Sequence, residues 1–100
     1  MNRQKALNLL GLSMRAGKLI DGVELTIEKV RVEEVKLVLV GKDAGKNTQK
    51  KVKDKCSFYQ VPCLDCFDSV ELSQAIGKNR MVVGILDNGF AQKIEELILS

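Results

Sequence analysis

The order of hydrophobic patterns predicts an α/β fold, a sheet held between layers of helices. Two observations carry this. Five stretches with helical spacing alternate with short extended stretches from one end of the chain to the other. Two of the extended stretches, Lys36-Leu37-Val38-Leu39-Val40 and Met81 to Leu86, are apolar runs of strand length, the pattern of strands buried on both faces. Right-handed crossovers between such strands put helices on both sides of the sheet.

The first helix covers roughly residues 3–15, with Leu7, Leu10 and Met14 on one face and Ala6 beside them. Ala16-Gly17 ends it, glycine being the usual residue past a helix C-terminus. Lys18 to Asp21 is a short extended piece leading to Gly22 and a second helix, in which Val23, Ile27 and Val30 stand at i, i+4 and i+7. The central strand, Lys36 to Val40, runs into the loop Gly41 to Lys46. Asn47 or Thr48 caps a third helix that buries Val52, Cys56 and Tyr59. Val61 to Cys66 is a further strand, where Pro62 belongs at the start or on an edge because it has no N–H to give a ladder. Asp68-Ser69-Val70-Glu71 has the form of a capping box and opens a short helix holding Leu72, Ala75 and Ile76, closed by Gly77. After the strand Met81 to Leu86, Asp87 or Asn88 caps a last helix that buries Phe90, Ile94, Leu97 and Ile98.

A chain of 100 residues with 45% hydrophobic and 29% charged residues fits one globular domain, residues 1–100, with a real core. No repeat, low-complexity stretch or linker divides it. The N-terminus is basic, but Asn8 and Ser13 interrupt the leucines that follow, so neither a signal peptide nor a membrane span is expected. Three cysteines, an odd number, suit free thiols in a reducing compartment, and the expected location is cytoplasmic.

The formal net charge of +3 is mild, and its distribution says more. Residues 1–20 hold Arg3, Lys5, Arg15 and Lys18 and no acid. Residues 41–55 hold six lysines against Asp43 and Asp54, whereas residues 21–34 carry Asp21, Glu24, Glu28, Glu33 and Glu34 against Lys29 and Arg31. Such segregation produces a basic face on a nearly neutral molecule.

Little here suits catalysis. The chain has no histidine, no serine or cysteine lies in a nucleophile motif, and no spacing of carboxylates or lysines supports acid–base work. No enzyme activity, metal or cofactor is expected. Cys63-Leu64-Asp65-Cys66 matches C-x-x-C, but a strand points i and i+3 to opposite faces, and a zinc site needs a second ligand pair. These read as structural cysteines. Gly41-Lys42-Asp43-Ala44-Gly45-Lys46 lies between strand and helix like a phosphate-binding loop. It has three residues between its glycines where the ATPase pattern needs four, and Asn47 follows Lys46 in place of Ser or Thr. What remains is a flexible, lysine-flanked loop before a helix N-terminus, suited to an anion such as an RNA phosphate. Arg15-Ala16-Gly17-Lys18 and Gly77-Lys78-Asn79-Arg80 likewise pair glycine with cations at element boundaries. Each alone is an ordinary turn. Together they matter if folding brings them to one side.

These motifs and their order resemble the kink-turn RNA-binding ribosomal protein family, in particular its short, YlxQ-like bacterial branch. The likeness covers nearly the whole chain, from Ala6-Leu7-Asn8-Leu9-Leu10-Gly11-Leu12 to about Asp87. It is most specific at Ala16-Gly17-Lys18 with Gly22, at Leu37 to Asp43-Ala44, at the basic stretch 46–55 ending in Asp54-Lys55-Cys56, and at Ala75-Ile76-Gly77. The resemblance implies a three-layer α/β/α sandwich with a mixed four-stranded sheet. It also implies that the loop before the second helix, the Asp43 loop and the Gly77 loop meet at one RNA-facing end. Gly22 matches the family glycine that lets backbone approach RNA, and Gly77 and Arg80 match the loop that packs on bases and backbone. The chain departs from the family at its base-reading motif. Where the family places an asparagine–glutamate pair and then a lysine, this sequence has Glu24, Leu25 and Glu28. These disfavour a bent helical RNA junction of the usual kind and leave RNA binding through the basic loops.

The expected function is therefore that of an RNA-binding accessory factor, monomeric and associated with the ribosome or another structured RNA, with transcription or translation factors as further partners and no membrane. Lys18, Lys42, Lys46, Lys78 and Arg80 are expected on phosphate, with Gly17, Gly22 and Gly77 permitting close approach and Asp43 in the same loop set. Gln49 and Asn79 are expected on bases or sugars, and Lys50, Lys51 and Lys53 to steer. Two rivals stand beside this: a protein-interaction module using the acidic second helix, and a small-anion or nucleotide binder at Gly41–Lys46.

Overall fold

The computed structural model describes all residues, Met1–Ser100. Its elements are α1 (Arg3–Arg15), β1 (Leu19–Asp21), α2 (Val23–Arg31), β2 (Leu37–Val40), α3 (Lys46–Phe58), β3 (Cys63–Leu64), α4 (Ser69–Ile76), β4 (Val82–Ile85) and α5 (Asn88–Leu99). The four strands form one mixed sheet in the order β1-β4-β2-β3. β4 runs antiparallel to both β1 and β2, and β2 and β3 are parallel. The register pairs Leu37 with Ile85, Val40 with Val82, Leu19 with Ile85 and Val38 with Cys63.

The two apolar runs are the two central strands, and alternation sorts their side chains between two cores. Leu37, Leu39, Val83 and Ile85 point to a layer made by α1, α4 and α5, where they meet Leu10, Phe67, Leu72 and Ile94. Val38, Val40 and Val82 point to the layer of α2 and α3, where they meet Ile27, Val30, Val52 and Cys56. The result is the three-layer α/β/α sandwich that the resemblance implies. Gly84 shows how tightly α2 sits on the sheet. A Cβ there would lie 3.0 Å from Ile20 Cδ1 and 3.2 Å from Thr26 Cγ2 and Val35 Cγ1, so only glycine leaves room for this approach. On the other face Arg3 of α1 makes a two-pronged ion pair with Glu71 of α4, at 2.9 and 2.7 Å, and stacks over the Phe67 ring.

Several boundaries and stripes differ from expectation. α3 begins at Lys46 with Gly45 as its cap, and neither Asn47 nor Thr48 caps it. β3 is only two residues long, because it is an edge strand paired on one side, and Pro62 offers β2 a carbonyl but no N–H. In α1 the buried residues are Ala6, Leu10, Gly11 and Ser13, while Leu7 and Met14 are half-buried, because the helix packs between α4 and α5 and buries a broader face than one stripe. In α5 Ala91, Ile94 and Ile98 are buried, and Phe90 and Leu97 lie at the core margin. The capping box is present, with Asp68 accepting from Glu71 N–H at 2.8 Å and Glu71 accepting from Asp68 N–H at 3.1 Å. Asp87 caps α5 by accepting from Phe90 N–H at 2.8 Å. No helix is long and apolar enough to cross a membrane.

Candidate nucleic-acid interface

Strand directions decide which loops meet. The C-terminal ends of β1, β2 and β3 and the N-terminal end of β4 share one edge of the sheet. That edge carries Gly22, the loop Gly41 to Gly45, the segment Asp65 to Asp68 and the loop Gly77 to Met81. Backbone hydrogen bonds stitch these segments together: Gly22 N–H to Val82 C=O at 2.8 Å, Gly41 N–H to Met81 C=O at 2.7 Å, and Lys42 N–H to Phe67 C=O at 2.9 Å.

Side chains complete the set. Asp43 accepts from the backbone N–H and the hydroxyl of Ser69, at 2.8 and 2.6 Å, and so ties the loop after β2 to the start of α4. The Ser69 hydroxyl and then its N–H hold the Asp43 carboxyl below the usual aspartate range. Asp21, at the end of β1, accepts from Arg80 Nε at 2.7 Å and from Lys78 Nζ at 3.4 Å. Ser73 fixes the Arg80 backbone through its hydroxyl, which accepts from Arg80 N–H at 3.0 Å. Lys42 and Lys46 are exposed, with no ion-pair partner. Gly22 has φ 96°, a conformation open to glycine and costly to other residues, and as the cap of α2 it has no side chain to satisfy the first-turn N–H groups.

Helix direction adds to this charge. α2 and α3 begin at this edge and run away from it, so the positive ends of both macrodipoles face it. Neither N-terminus has a side-chain cap. Leu25 in the first turn of α2, Val70 in that of α4, and Met81 are exposed apolar residues near the same edge. An open groove of about 340 Å³ lies beside them, lined by Ser69, Ser73, Gly77, Lys78 and Asn79.

Of the residues expected here, Gly22, Lys42, Asp43, Gly77, Lys78, Asn79 and Arg80 lie at this edge, and Lys46 is the first residue of α3 beside them. Gly17 and Lys18 do not. They sit at the opposite edge, where Lys18 C=O accepts from Leu86 N–H at 2.8 Å. Gly17, at φ 71°, and Lys18 end α1 in a Schellman motif, with Gly17 N–H on Met14 C=O and Lys18 N–H on Ser13 C=O. Local helix chemistry thus accounts for a glycine–lysine pair that looked like a phosphate loop. Gln49 turns its amide inward, to the carbonyls of Gly41, Lys42 and Ala44 at 3.0 to 3.3 Å, and so shapes the loop. Three lysines further along α3 are engaged: Lys50 with Asp54, Lys51 with Glu24 and Lys53 with Asp65. Sequence reasoning missed Asp21 and Ser69, whose roles are cross-loop contacts; only the position of Asp21 directly before Gly22 hinted at one of them.

The family model for the ribosomal protein L7Ae/L30e/S12e/Gadd45 family matches residues 4–95. The chain is similar to an RNA-binding protein YlxQ of Enterococcus faecium, 62% identical over 97 residues that cover 97% of this chain and 94% of that protein. An RNA-binding protein YlxQ of Bacillus subtilis is 45% identical over 91 residues, covering 90% of this chain and 91% of that one. A solved structure of a protein of unknown function from Bacillus halodurans C has a TM-score of 0.93 at 42% identity, covering 96% of this chain and 98% of that one. The 15.5 kD RNA binding protein of Giardia lamblia shares the fold, with a TM-score of 0.80 at 16% identity over 98% of this chain and 86% of that one. The names of the curated relatives describe RNA-binding proteins and no enzyme. A match along nearly its entire length, joined to the same sandwich of helices and mixed sheet, makes this chain a member of the L7Ae/L30e/S12e/Gadd45 ribosomal protein family.

Proposed function

We propose that this protein binds RNA through the loop edge of its sheet, as a cytoplasmic, monomeric accessory factor of the ribosome or another structured RNA. One observation carries the reading: Lys42, Lys46, Lys78 and Arg80 share an edge with two helix N-termini that no side chain caps. Cations and free backbone N–H groups together are what phosphate oxygens require. Gly22 and Gly77 keep the surface low enough for a sugar–phosphate chain to approach. The exposed apolar residues Leu25, Val70 and Met81 give unstacked bases a place to rest. The relatives' printed name, RNA-binding protein, agrees with this.

The rivals find less support. Glu24 is spent on Lys51 and Glu34 on Lys29, which removes half of the acidic surface a protein-docking second helix requires. At Gly41–Lys46 the loop carbonyls of Gly41, Lys42 and Ala44 are held by Gln49, and the larger grooves of the molecule are lined by other residues.

The test is binding to fragments of ribosomal RNA across a salt series. Four phosphate contacts predict a log–log slope of about −3 to −4. A slope near zero, or undiminished binding by a Lys42→Glu/Arg80→Glu variant, would remove this reading. Calorimetry with nucleoside triphosphates checks the small-anion rival in the same buffers.

A further inference from the structure

The cysteines belong to a different part of the molecule. Cys63 and Cys66, adjacent in the C-x-x-C spacing, face opposite cores: Cys63 packs against the α2–α3 layer and Cys66 against the α1–α4–α5 layer. The thiol that shares a core with Cys63 is Cys56, on the inner face of α3. The chain reverses tightly between them. Tyr59 N–H bonds Lys55 C=O at 3.1 Å, Gln60 N–H bonds Ser57 C=O at 3.2 Å and Val61 N–H bonds Cys56 C=O at 2.8 Å, with Gln60 left-handed at φ 58°. Cys63 then enters the edge strand β3 opposite Val38, which shares the α2–α3 core with Cys56. Both side chains therefore pack into one core, Cys56 as a buried member and Cys63 at its margin, with only the tight turn between them in the chain.

The two sulfurs are not equivalent. Cys56 is 2% exposed and sealed among Val38, Val52 and Val30, whereas Cys63 is half-buried on the sheet edge, where a small solute reaches it. Lys53, one turn before Cys56, holds Asp65 at 2.8 Å and places its ammonium beside Cys63. The neighbouring Cys56 thiol, and then this ammonium, draw the Cys63 thiol below its ordinary value, while burial pulls the other way. The neighbouring Cys63 and burial push Cys56 up. The more exposed sulfur, beside a cation, is therefore the nucleophile, and the sealed one the resolving thiol.

We propose that Cys56 and Cys63 form a redox-active dithiol that hydrogen peroxide converts to an intramolecular disulfide pinning α3 to β3. The Cys63 thiolate attacks one peroxide oxygen, the O–O bond breaks, and hydroxide leaves as Cys63 becomes a sulfenic acid. The Cys56 sulfur attacks that sulfur, the S–O bond breaks, and the thiol proton joins the departing hydroxide as water. In sum two thiols lose two protons and two electrons, and one peroxide becomes two waters. Cys66 takes no part. A thiol reductant reverses the step.

The experiment uses the full chain, reduced, then exposed to hydrogen peroxide, alkylated and digested with chymotrypsin without reductant. Cleavage after Phe58 or Tyr59 separates Cys56 from Cys63, and cleavage after Leu64 separates Cys63 from Cys66. The expected product is a Cys56 peptide joined to a Cys63 peptide, two hydrogens lighter than the reduced pair, with Cys66 alkylated. Cys66→Ser leaves this product unchanged, and Cys63→Ser abolishes it. Cys56→Ser leaves Cys63 as a sulfenic acid that dimedone traps. Because Cys56 is buried and its variant can misfold, the peptide map of the unaltered chain, with Cys66→Ser beside it, decides the matter. A Cys63–Cys66 link, a disulfide between two chains, or three alkylated thiols after peroxide overturns the proposal.

Discussion

The two edges of the sheet carry similar sequence and behave differently. Each has cations next to a left-handed glycine: Lys78 and Arg80 by Gly77 at one, Lys18 by Gly17 at the other. At the first edge α2 and α3 begin, and nearby carboxylates are occupied, Asp21 by Arg80 and Lys78, Asp43 by Ser69, Asp65 by Lys53. At the second edge α1, α2 and α3 end, their negative dipole ends are the natural partners of Lys18 and Lys36, and Glu33 stands exposed without an ion pair. Both glycines end a helix, Gly77 closing α4 and Gly17 closing α1, so a glycine beside a lysine is ambiguous until the neighbouring helices are known. The cations after Gly77 lie on the edge where α2 and α3 begin, and their charge adds to those N-terminal fields; Lys18 lies where α1, α2 and α3 end, and its charge offsets theirs.

This contrast is open to attack most strongly by charge reversal. Lys42→Glu with Arg80→Glu is expected to weaken RNA binding on the order of 100-fold, roughly 1–2 kcal/mol for each lost charge-assisted contact. Lys18→Glu with Lys36→Glu, the same charge change at the other edge, is expected to cost no more than about threefold. Equal losses in a filter-binding assay would show that net charge, not the loop edge, governs affinity.

The two glycines sharpen the comparison. Gly17→Ala and Gly77→Ala each force a side chain into a left-handed position, at φ 71° and 78°, and each is expected to cost about 1–2 kcal/mol of stability in urea melts. Only Gly77→Ala should also weaken RNA binding, about three- to tenfold. If Gly17→Ala does the same, the second edge touches RNA.

A smaller effect is expected from Asp21→Asn. Asp21 competes with phosphate for Arg80 and Lys78, so its neutral analogue should bind RNA about two- to fivefold more tightly and with a steeper salt slope. Stability should fall by about 1–2 kcal/mol, because the Asp21 side chain is only 12% exposed and its charge-assisted bond to Arg80 is weakened. Weaker binding would mean that Asp21 aims these cations rather than occupying them.

The mildest prediction concerns acid. The folded-state pKa values of Asp43 and Glu71 lie below their ordinary 3.8 and 4.5, Asp43 through Ser69 and Glu71 through Arg3. A depressed carboxyl binds fewer protons folded than unfolded, so its contribution is present above those ordinary values and is lost as pH falls through the lower folded ones. Melting temperature should therefore decline as pH drops below about 4.5, and Asp43→Asn should decline less steeply. Parallel curves for the two proteins would count against the Asp43–Ser69 tie.

Much of this fold was legible in sequence because its signals are local. Val38 and Leu39, in an apolar run that follows charged residues and stops at Gly41, announce a buried strand, and Asp68 with Glu71 announces a helix start. The cap of α3 was not legible, since Gly45 bears no capping side chain and Gln49 holds the loop from within instead. Nor was the short β3, because nothing local says that a strand has only one neighbour.

By itself the sequence determined which residues form helices and strands, where most of them stop, and which side chains leave water, because spacing, caps and apolar runs act over a few residues. Tertiary structure alone decided that Gly22, Lys42, Lys78 and Arg80 share an edge while Lys18 does not, and that Cys63 shares a core with Cys56 and not with Cys66. The physical reason is strand order and direction. Antiparallel β4 between β1 and β2 brings the start of one segment against the ends of two others, and no local pattern records that choice.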